Sequence, residues 1–193
     1  MLFRSLQQEA GRKLRLSAQQ VMRTAQGLYD RGFITYTRTD SVVLSDEALG
    51  AVRDQIRADC GGDFLTESPR RYASKVKNAQ EAHEAIRPSI PLRHPDSLGG
   101  QLAGPDLALY RLIWQRTLAS QMADANGVTV SIRLGATAPA TGSEAANECV
   151  FAASGTTITF DGHRKAYEEA REDDSDSGDR KSTRLNSSHV SES

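Results

Sequence analysis

Tyr36 and Arg38 are the residues whose types and spacing best suit covalent chemistry. They lie two positions apart in FITYTRTDS, where Phe33, Ile34 and the threonines favour an extended backbone. In such a segment, residues i and i+2 point to the same side, roughly 6 to 7 Å apart. A phenol, with an ordinary pKa of about 10, needs nearby positive charge to act as a nucleophile. The Arg38 guanidinium can supply that charge and bind phosphate oxygens bidentately, which indicates attack on a phosphate.

The same spacing fits a second interpretation, in which Tyr36 is a core aromatic and Arg38 a solvated neighbour. In either case Thr35, Thr37 and Thr39 are expected on the opposite side of the segment. Spacing alone does not choose between the two interpretations, so other segments of the chain have to be considered.

Three segments, in order along the chain, resemble bacterial DNA topoisomerase I, a type IA topoisomerase. The resemblance covers about residues 5–170. Thr37 favours the topoisomerase I branch over topoisomerase III, where proline is usual. The matching segments are SLQQEAGRKLRLSAQQVMRTAQGLYDRGFITYTRTDS, AQEAHEAIRPS, and LALYRLIWQRTLASQMADA followed by strands and GHRKAYEE.

This resemblance implies roles for individual residues. Tyr36 would form the transient 5′-phosphotyrosyl link to cleaved single-stranded DNA, and Arg38 would contact the phosphate. His83 falls on the family histidine near the cleavage site, as a phosphate or proton-relay partner, with Glu84 and Arg87 alongside. His83 and Arg87 are the accessory residues that the resemblance implies. Taken singly, His83 also fits a structural histidine that serves packing or hydrogen bonding.

Basic residues of the first two predicted helices are candidates for contacts to a DNA backbone, because phosphate contacts are electrostatic and independent of sequence. The alternative is a solvated helical face. These residues are Arg12, Lys13, Arg15 and Arg23.

The resemblance implies an ATP-independent enzyme that relaxes negatively supercoiled DNA, because the phosphotyrosine ester conserves the energy of the cleaved bond. Mg²⁺ is expected in the intact enzyme, held by a Toprim domain that no segment here resembles. We therefore expect no metal site in this chain and little or no cleavage by it alone. The alternative function is a helical module that binds single-stranded DNA without catalysis.

Local patterns predict the elements that position these residues. Ser5 with Gln8, and Ser17 with Gln20, fit the capping box that begins a helix. Gly32 is expected to end the second helix in a left-handed conformation. Ser45 is expected to cap a third helix, which ends at the glycine pair 61–62.

Beyond this region, residues 78–87 are predicted to form a short helix, which the following prolines stop. Apolar spacing predicts a long buried helix over residues 106–122. Residues 127–160 alternate in polarity and are predicted to be strands, with a loop over 134–147.

The predicted fold class is α+β: a mainly helical, tyrosine-bearing domain at 1–122 and part of a β-rich arch of the type IA topoisomerase fold at 123–170. Residues 171–193 lack apolar side chains almost entirely and are predicted to be a disordered tail. The last thirteen residues share no pattern with what precedes them and are candidates for a non-native addition.

Charge and cysteine content set broader limits. Residues 1–98 carry 15 Lys and Arg against 12 Asp and Glu, whereas residues 99–193 carry 9 against 13, so a polyanion should prefer the first half. The two cysteines form no CxxC pair, which argues against a disulfide framework or a zinc site. Without an apolar leader or spanning segment, the chain is predicted to be a cytoplasmic, nucleoid-associated monomer that acts on single-stranded or negatively supercoiled DNA.

Overall fold

The structure is a computed structural model that describes residues 1–73, 84–138 and 147–167. Four α-helices and one β-hairpin make up its regular elements, in agreement with the predicted α+β class. They are α1 (Phe3–Leu14), α2 (Ala18–Asp30), α3 (Asp46–Asp59), α4 (Gly104–Ala119), β1 (Asn126–Ala138) and β2 (Asn147–Phe160). Short 3-10 turns occur at Gly62–Phe64, Pro95–Leu98 and Gly162–Tyr167.

The helix boundaries test the capping predictions. Ser17 and Gln20 form the predicted capping box at the start of α2, and the Ser45 hydroxyl accepts a hydrogen bond from the Ala48 amide to cap α3. The prediction for Ser5 is wrong, because α1 begins at Phe3 and the Ser5 hydroxyl donates to the Leu2 carbonyl inside the first turn. Gly32 has the predicted left-handed conformation, with φ of 72°.

Helix α4 forms the centre of the helical unit and contacts the other three helices. It is buried on several sides, which explains why its apolar residues do not form a single stripe. All six of the apolar residues predicted to lie inside are buried, although the helix covers 104–119 rather than 106–122. They are Leu109, Leu112, Ile113, Trp114, Leu118 and Met122.

Two other predictions need correction. Residues 84–87 are not helical, and 78–83 lie outside the described residues. Strand β1 continues to Ala138, into the predicted loop, because its pairing with β2 holds as far as the Ala138 and Asn147 partners. The predicted tail at 171–193 also lies outside the described residues.

The chain divides into two compact units. The first contains Met1–Asp124 together with the segment that begins at Gly162, and the second contains Ala125–Asp161, the antiparallel β1–β2 hairpin. The His163 amide donates to the Ala123 carbonyl (2.8 Å), which ties the returning segment to the helical unit. Alternation along the hairpin places Val128, Val130 and Ile132 on one face, where they are exposed.

Candidate active site

The segment after α2 places Tyr36 and Arg38 on the outside of the helical unit. The Tyr36 side chain is 37% exposed and Arg38 is also exposed, whereas Thr37 and Thr39 are buried at 3% and 4%. This alternation agrees with the predicted period of two. The segment is not a regular strand, however, since only Ile34 forms a β-bridge, with Pro88.

Backbone hydrogen bonds join this segment to residues 85–89. The Thr35 amide donates to the Arg87 carbonyl and the Ser89 amide donates to the Phe33 carbonyl, both at 2.9 Å. The Thr35 hydroxyl donates to the Ala85 carbonyl (2.8 Å) and accepts from the Arg87 amide (3.0 Å). Two motifs separated by about fifty residues in the sequence are therefore physically paired beside Tyr36.

Arg87 points inward at this junction. It is 8% exposed, its Nε donates to Glu84 Oε2 (2.9 Å), and its Nη1 donates to the Pro88 carbonyl (2.9 Å). Glu84 Oε1 in turn accepts from the amide of Ser45, the N-cap of α3 (2.7 Å). Burial raises the pKa of Glu84, but the hydrogen bond from Ser45 and the charge of Arg87 outweigh it, so the pKa lies below its ordinary value. The Arg87 side chain thus holds its own segment, residues 84–88, whose backbone pairs with Thr35.

His83, which the resemblance places near the cleavage site, lies outside the described residues. Its neighbour Glu84 is the first described residue after that gap. Glu84 accepts a hydrogen bond from Arg87, and the backbone of Arg87 pairs with Thr35. The first residue after the gap therefore lies close to the Tyr36 segment.

The ring of Tyr36 packs against a second tyrosine near the end of α2. The ring centroids of Tyr29 and Tyr36 are 5.5 Å apart with planes at 71°, an edge-to-face contact. Nothing in the local sequence pattern indicated this contact, because it joins a residue of α2 to one beyond the turn at Gly32. Tyr29 is 39% exposed, so both rings are accessible from outside.

A groove of about 270 Å³ lies beside Arg38. Arg23 and Arg38 are its two cationic residues, and Gln19 and Gln26 add amide groups that can donate to phosphate oxygens. Gln19, Arg23 and Gln26 are spaced so that they lie on one face of α2. This spacing is the pattern in the sequence from which the groove could have been predicted. The full lining is Phe3, Gln19, Met22, Arg23, Gln26, Thr37 and Arg38.

Arg12, Lys13 and Arg15, the other predicted DNA-contacting residues, do not line this groove. Arg12 is largely exposed and bonds Glu9 at 3.1 Å. Lys13 Nζ is 3.5 Å from Glu9 Oε2 and 4.3 Å from the centre of the Tyr167 ring. Arg12 and Lys13 lie in the last turn of α1, nine and ten residues along the helix from Phe3.

Residues 1–73, 84–138 and 147–167 contain no group of three or more His, Cys, Asp or Glu side chains arranged to hold a metal ion. None of the helices in these ranges combines the length and apolar character needed to cross a bilayer.

Comparison with known proteins identifies the family. A family model described as DNA topoisomerase matches residues 3–191. The DNA topoisomerase 1 of Mycobacterium tuberculosis strain H37Rv is 53% identical over 169 residues, which cover 86% of this chain and 18% of that protein. The DNA topoisomerase 1 of Streptomyces coelicolor is 51% identical over 170 residues, covering 88% of this chain and 17% of that protein.

The fold matches as well. The structure of full-length topoisomerase I from Thermotoga maritima superposes with a TM-score of 0.68 at 32% identity, covering 87% of this chain and 26% of that chain. This chain spans less than a fifth of the length of the two curated relatives described above. Because the family model covers almost the whole chain, and because both the sequence and the fold match topoisomerase I proteins, the chain belongs to the type IA DNA topoisomerase family.

Proposed function

We propose that this chain supplies the strand-cleaving tyrosine of a type IA DNA topoisomerase. The Tyr36 oxygen attacks a phosphodiester of single-stranded DNA, an O–P bond to Tyr36 forms, and the bond from phosphorus to the 3′-oxygen breaks. The phenolic proton passes to solvent as the Tyr36 oxygen attacks, and the leaving 3′-oxygen takes up a proton from solvent. Religation reverses these steps after the other strand has passed through the gap.

The observation that carries this proposal is the outward placement of Tyr36 and Arg38 on a segment whose alternate threonines are buried. A guanidinium on the same side as the phenol can stabilise both the phenolate and the charge that develops on the phosphate oxygens. A core tyrosine, the other interpretation of the same spacing, would be buried rather than 37% exposed.

The groove beside Arg38 supports a DNA path that leads to Tyr36. Arg23 and Arg38 provide two positive charges within one groove, and such charges bind the phosphate backbone whatever its sequence. We assign phosphate contact to Arg38 and backbone contact to Arg23. Arg87 acts as an accessory residue that holds the Tyr36 segment, and His83 is proposed as an accessory group at the cleavage site on the resemblance alone.

The reaction needs no ATP, because the phosphotyrosine ester conserves the energy of the cleaved bond and religation recovers it. Relaxation of negative supercoils by a cytoplasmic monomer follows as the proposed cellular activity. Mg²⁺, which the resemblance implies for the intact enzyme, has no group of three or more His, Cys, Asp or Glu side chains to hold it among the described residues. Because the chain spans less than a fifth of its relatives, we propose that it has little or no cleavage activity by itself.

A chimera tests the proposed function. Residues 1–167 of this chain would replace the matching segment of the Streptomyces coelicolor relative, and covalent attachment to a 5′-labelled or 3′-labelled single-stranded oligonucleotide would be followed on denaturing gels. We expect an adduct that carries the label on the 3′ side of the break. Tyr36→Phe should abolish the adduct and leave oligonucleotide binding within about twofold, since only the nucleophilic oxygen is removed.

An adduct that survives Tyr36→Phe would contradict the assignment of the nucleophile. Salt-sensitive oligonucleotide binding with no adduct in either protein would instead favour the alternative, a DNA-binding module without catalysis. Tyr72→Phe is the matched control, because Tyr72 is also an exposed tyrosine of the helical unit but donates its hydroxyl to the Ser120 carbonyl (3.0 Å).

A further inference from the structure

A second and larger groove, of about 680 Å³, opens between α1, α4 and the turn at Gly162–Tyr167. All the described residues that line it belong to the helical unit, and none of them lines the groove beside Arg38. Phe3 and Lys13 belong to different grooves, and their separation along α1 corresponds to roughly 15 Å of helix. The lining consists of Lys13, Leu14, Gly104, Leu107, Ala108, Arg111, Leu112, Gln115, His163, Arg164 and Tyr167.

The lining combines an apolar floor with a basic rim. Leu14, Leu107 and Leu112 supply apolar surface, and Lys13, Arg111, His163 and Arg164 supply nitrogen groups. Of the described residues that line the groove, none is acidic. The carboxylates of Glu9 and Asp96, outside the lining, pair with Lys13 (3.5 Å) and Arg111 (2.6 Å) and offset part of this charge.

Several contacts hold the basic rim in place. Lys13 Nζ lies 4.3 Å from the centre of the Tyr167 ring, so a cation rests on the aromatic wall of the groove. His163 is fixed through its amide, which donates to the Ala123 carbonyl at 2.8 Å. Arg164, between these two points, is exposed.

We propose that this groove binds a nucleotide unit of single-stranded DNA at a site separate from Tyr36. The apolar floor receives the base, and Lys13, Arg111 and Arg164 contact the phosphate. A nucleotide brings a flat, weakly polar base and an anionic group together, which matches both parts of the lining. An acidic peptide would satisfy the charges but would leave the leucines of the floor uncovered, so the groove favours a nucleotide.

Lys13 lines this second groove and does not line the groove beside Arg38. The proposal depends on the chemistry of the second groove and not on the reactivity of Tyr36. It can therefore be wrong even if the proposed cleavage is right. A strand bound in both grooves would follow α1 along its length.

The first experiment uses the full 193-residue chain and a fluorescein-labelled oligodeoxythymidylate, with binding followed by anisotropy over a series of salt concentrations. Arg164→Glu should raise the dissociation constant at least about fivefold at low salt. It should also reduce the slope of the logarithm of affinity against the logarithm of salt concentration by about the amount expected for one phosphate contact. Arg57→Glu is the matched control, because Arg57 is an exposed arginine of α3 that lines neither groove. Equal effects of the two variants would overturn the proposal.

The second experiment locates the ligand by amide chemical shifts of the same chain. Thymidine monophosphate should shift the amides of Gly104, Ala108 and His163, and the labelled oligonucleotide should shift the same amides at lower concentration. Inorganic phosphate should produce much smaller shifts, since it lacks a base. Equal shifts with inorganic phosphate would overturn the role of the apolar floor, and stronger competition by an oligoglutamate peptide than by thymidine monophosphate would overturn the choice of ligand.

The two proposals are separated by one comparison. Tyr36→Phe should abolish the covalent adduct in the chimera and leave these shifts unchanged. If Tyr36→Phe loses the adduct but keeps the shift of the Gly104 amide, both the cleavage site at Tyr36 and the separate nucleotide site are supported. Absence of any shift at Gly104, Ala108 and His163 would sink the second site whatever the adduct assay shows.

Discussion

The rings of Tyr29 and Tyr36 meet edge to face, with centroids 5.5 Å apart and planes at 71°. Tyr29 belongs to the last turn of α2, whereas Tyr36 lies beyond the left-handed turn at Gly32. The helix therefore supplies a rigid support for the side chain that we propose as the nucleophile. A contact of this kind restricts the directions in which the phenolic oxygen can point.

Replacing Tyr29 tests this support. Aromatic pairs contribute about 0.5 to 1.5 kcal/mol beyond their burial, so Tyr29→Ala should slow adduct formation in the chimera by about 3- to 10-fold. Tyr29→Phe keeps the ring and should stay within about twofold of the parent rate. The loss with Tyr29→Ala should appear in the rate at saturating oligonucleotide. A change confined to oligonucleotide affinity would show that Tyr29 contacts DNA instead of orienting Tyr36.

Glu84 predicts how stability depends on pH. Its folded-state pKa lies below the ordinary value because the hydrogen bond from Ser45 and the charge of Arg87 outweigh burial. The stabilisation is therefore present above the unfolded-state pKa and is lost as pH falls through the folded-state value. Glu84→Gln should lower the free energy of unfolding at pH 7 by about 1.5 to 3 kcal/mol, the range for a hydrogen bond to a charged group.

Urea unfolding of the parent and Glu84→Gln chains, followed by circular dichroism at pH 7 and at acid pH, checks this expectation. The difference between the two proteins should shrink in acid, where the parent carboxylate is protonated. Glu67→Gln serves as the control, because Glu67 is exposed. A difference that stays constant with pH would contradict the role assigned to the Glu84 charge.

Gly162 lies where the chain returns to the helical unit, and the backbone at this position leaves no room for a side chain. It has φ of 49°, and a Cβ at this position would lie 2.5 Å from the backbone carbon and oxygen of Asp124. Gly162→Ala should therefore destabilise the helical unit by more than about 2 kcal/mol, through steric overlap and a strained conformation. The helical signal during urea unfolding measures this change.

Gly99→Ala is the comparison for Gly162→Ala. Gly99 has φ of −56°, and an added Cβ would meet nothing within 4 Å. We expect a change within about 0.5 kcal/mol for this variant. Similar losses in both variants would mean that the close approach at Gly162 does not determine stability.

The serines at the starts of α1 and α2 provide another paired test. Ser17→Ala removes a capping box and should cost about 1 kcal/mol of the free energy of unfolding. Ser5 lies inside α1, so Ser5→Ala should cost less than about 0.5 kcal/mol, because alanine is a better helix former. Thermal unfolding of both variants measures the difference, and a larger loss with Ser5→Ala would reverse the assignment of caps.

Local patterns in the sequence determined where several helices begin or end and which of their side chains are buried. The capping box at Ser17, the left-handed Gly32 and the buried face of α4 depend on residues within a few positions of one another, so their spacing alone predicts them. The outward placement of Tyr36 and Arg38 is local in the same way, since an extended backbone alternates sides. The prediction failed at Ser5, where the capping pattern is present but the helix begins two residues earlier.

Only the tertiary structure decided which distant residues meet. The pairing of Thr35 with Arg87, the inward direction of Arg87 and the return of Gly162 to the helical unit all depend on contacts between residues far apart in the sequence. Local spacing carries no information about such contacts, because they arise from the packing of whole helices around one core. The sequence therefore predicted Tyr36 and Arg38 as the candidate reactive pair, and the fold determined what supports them and which grooves lie beside them.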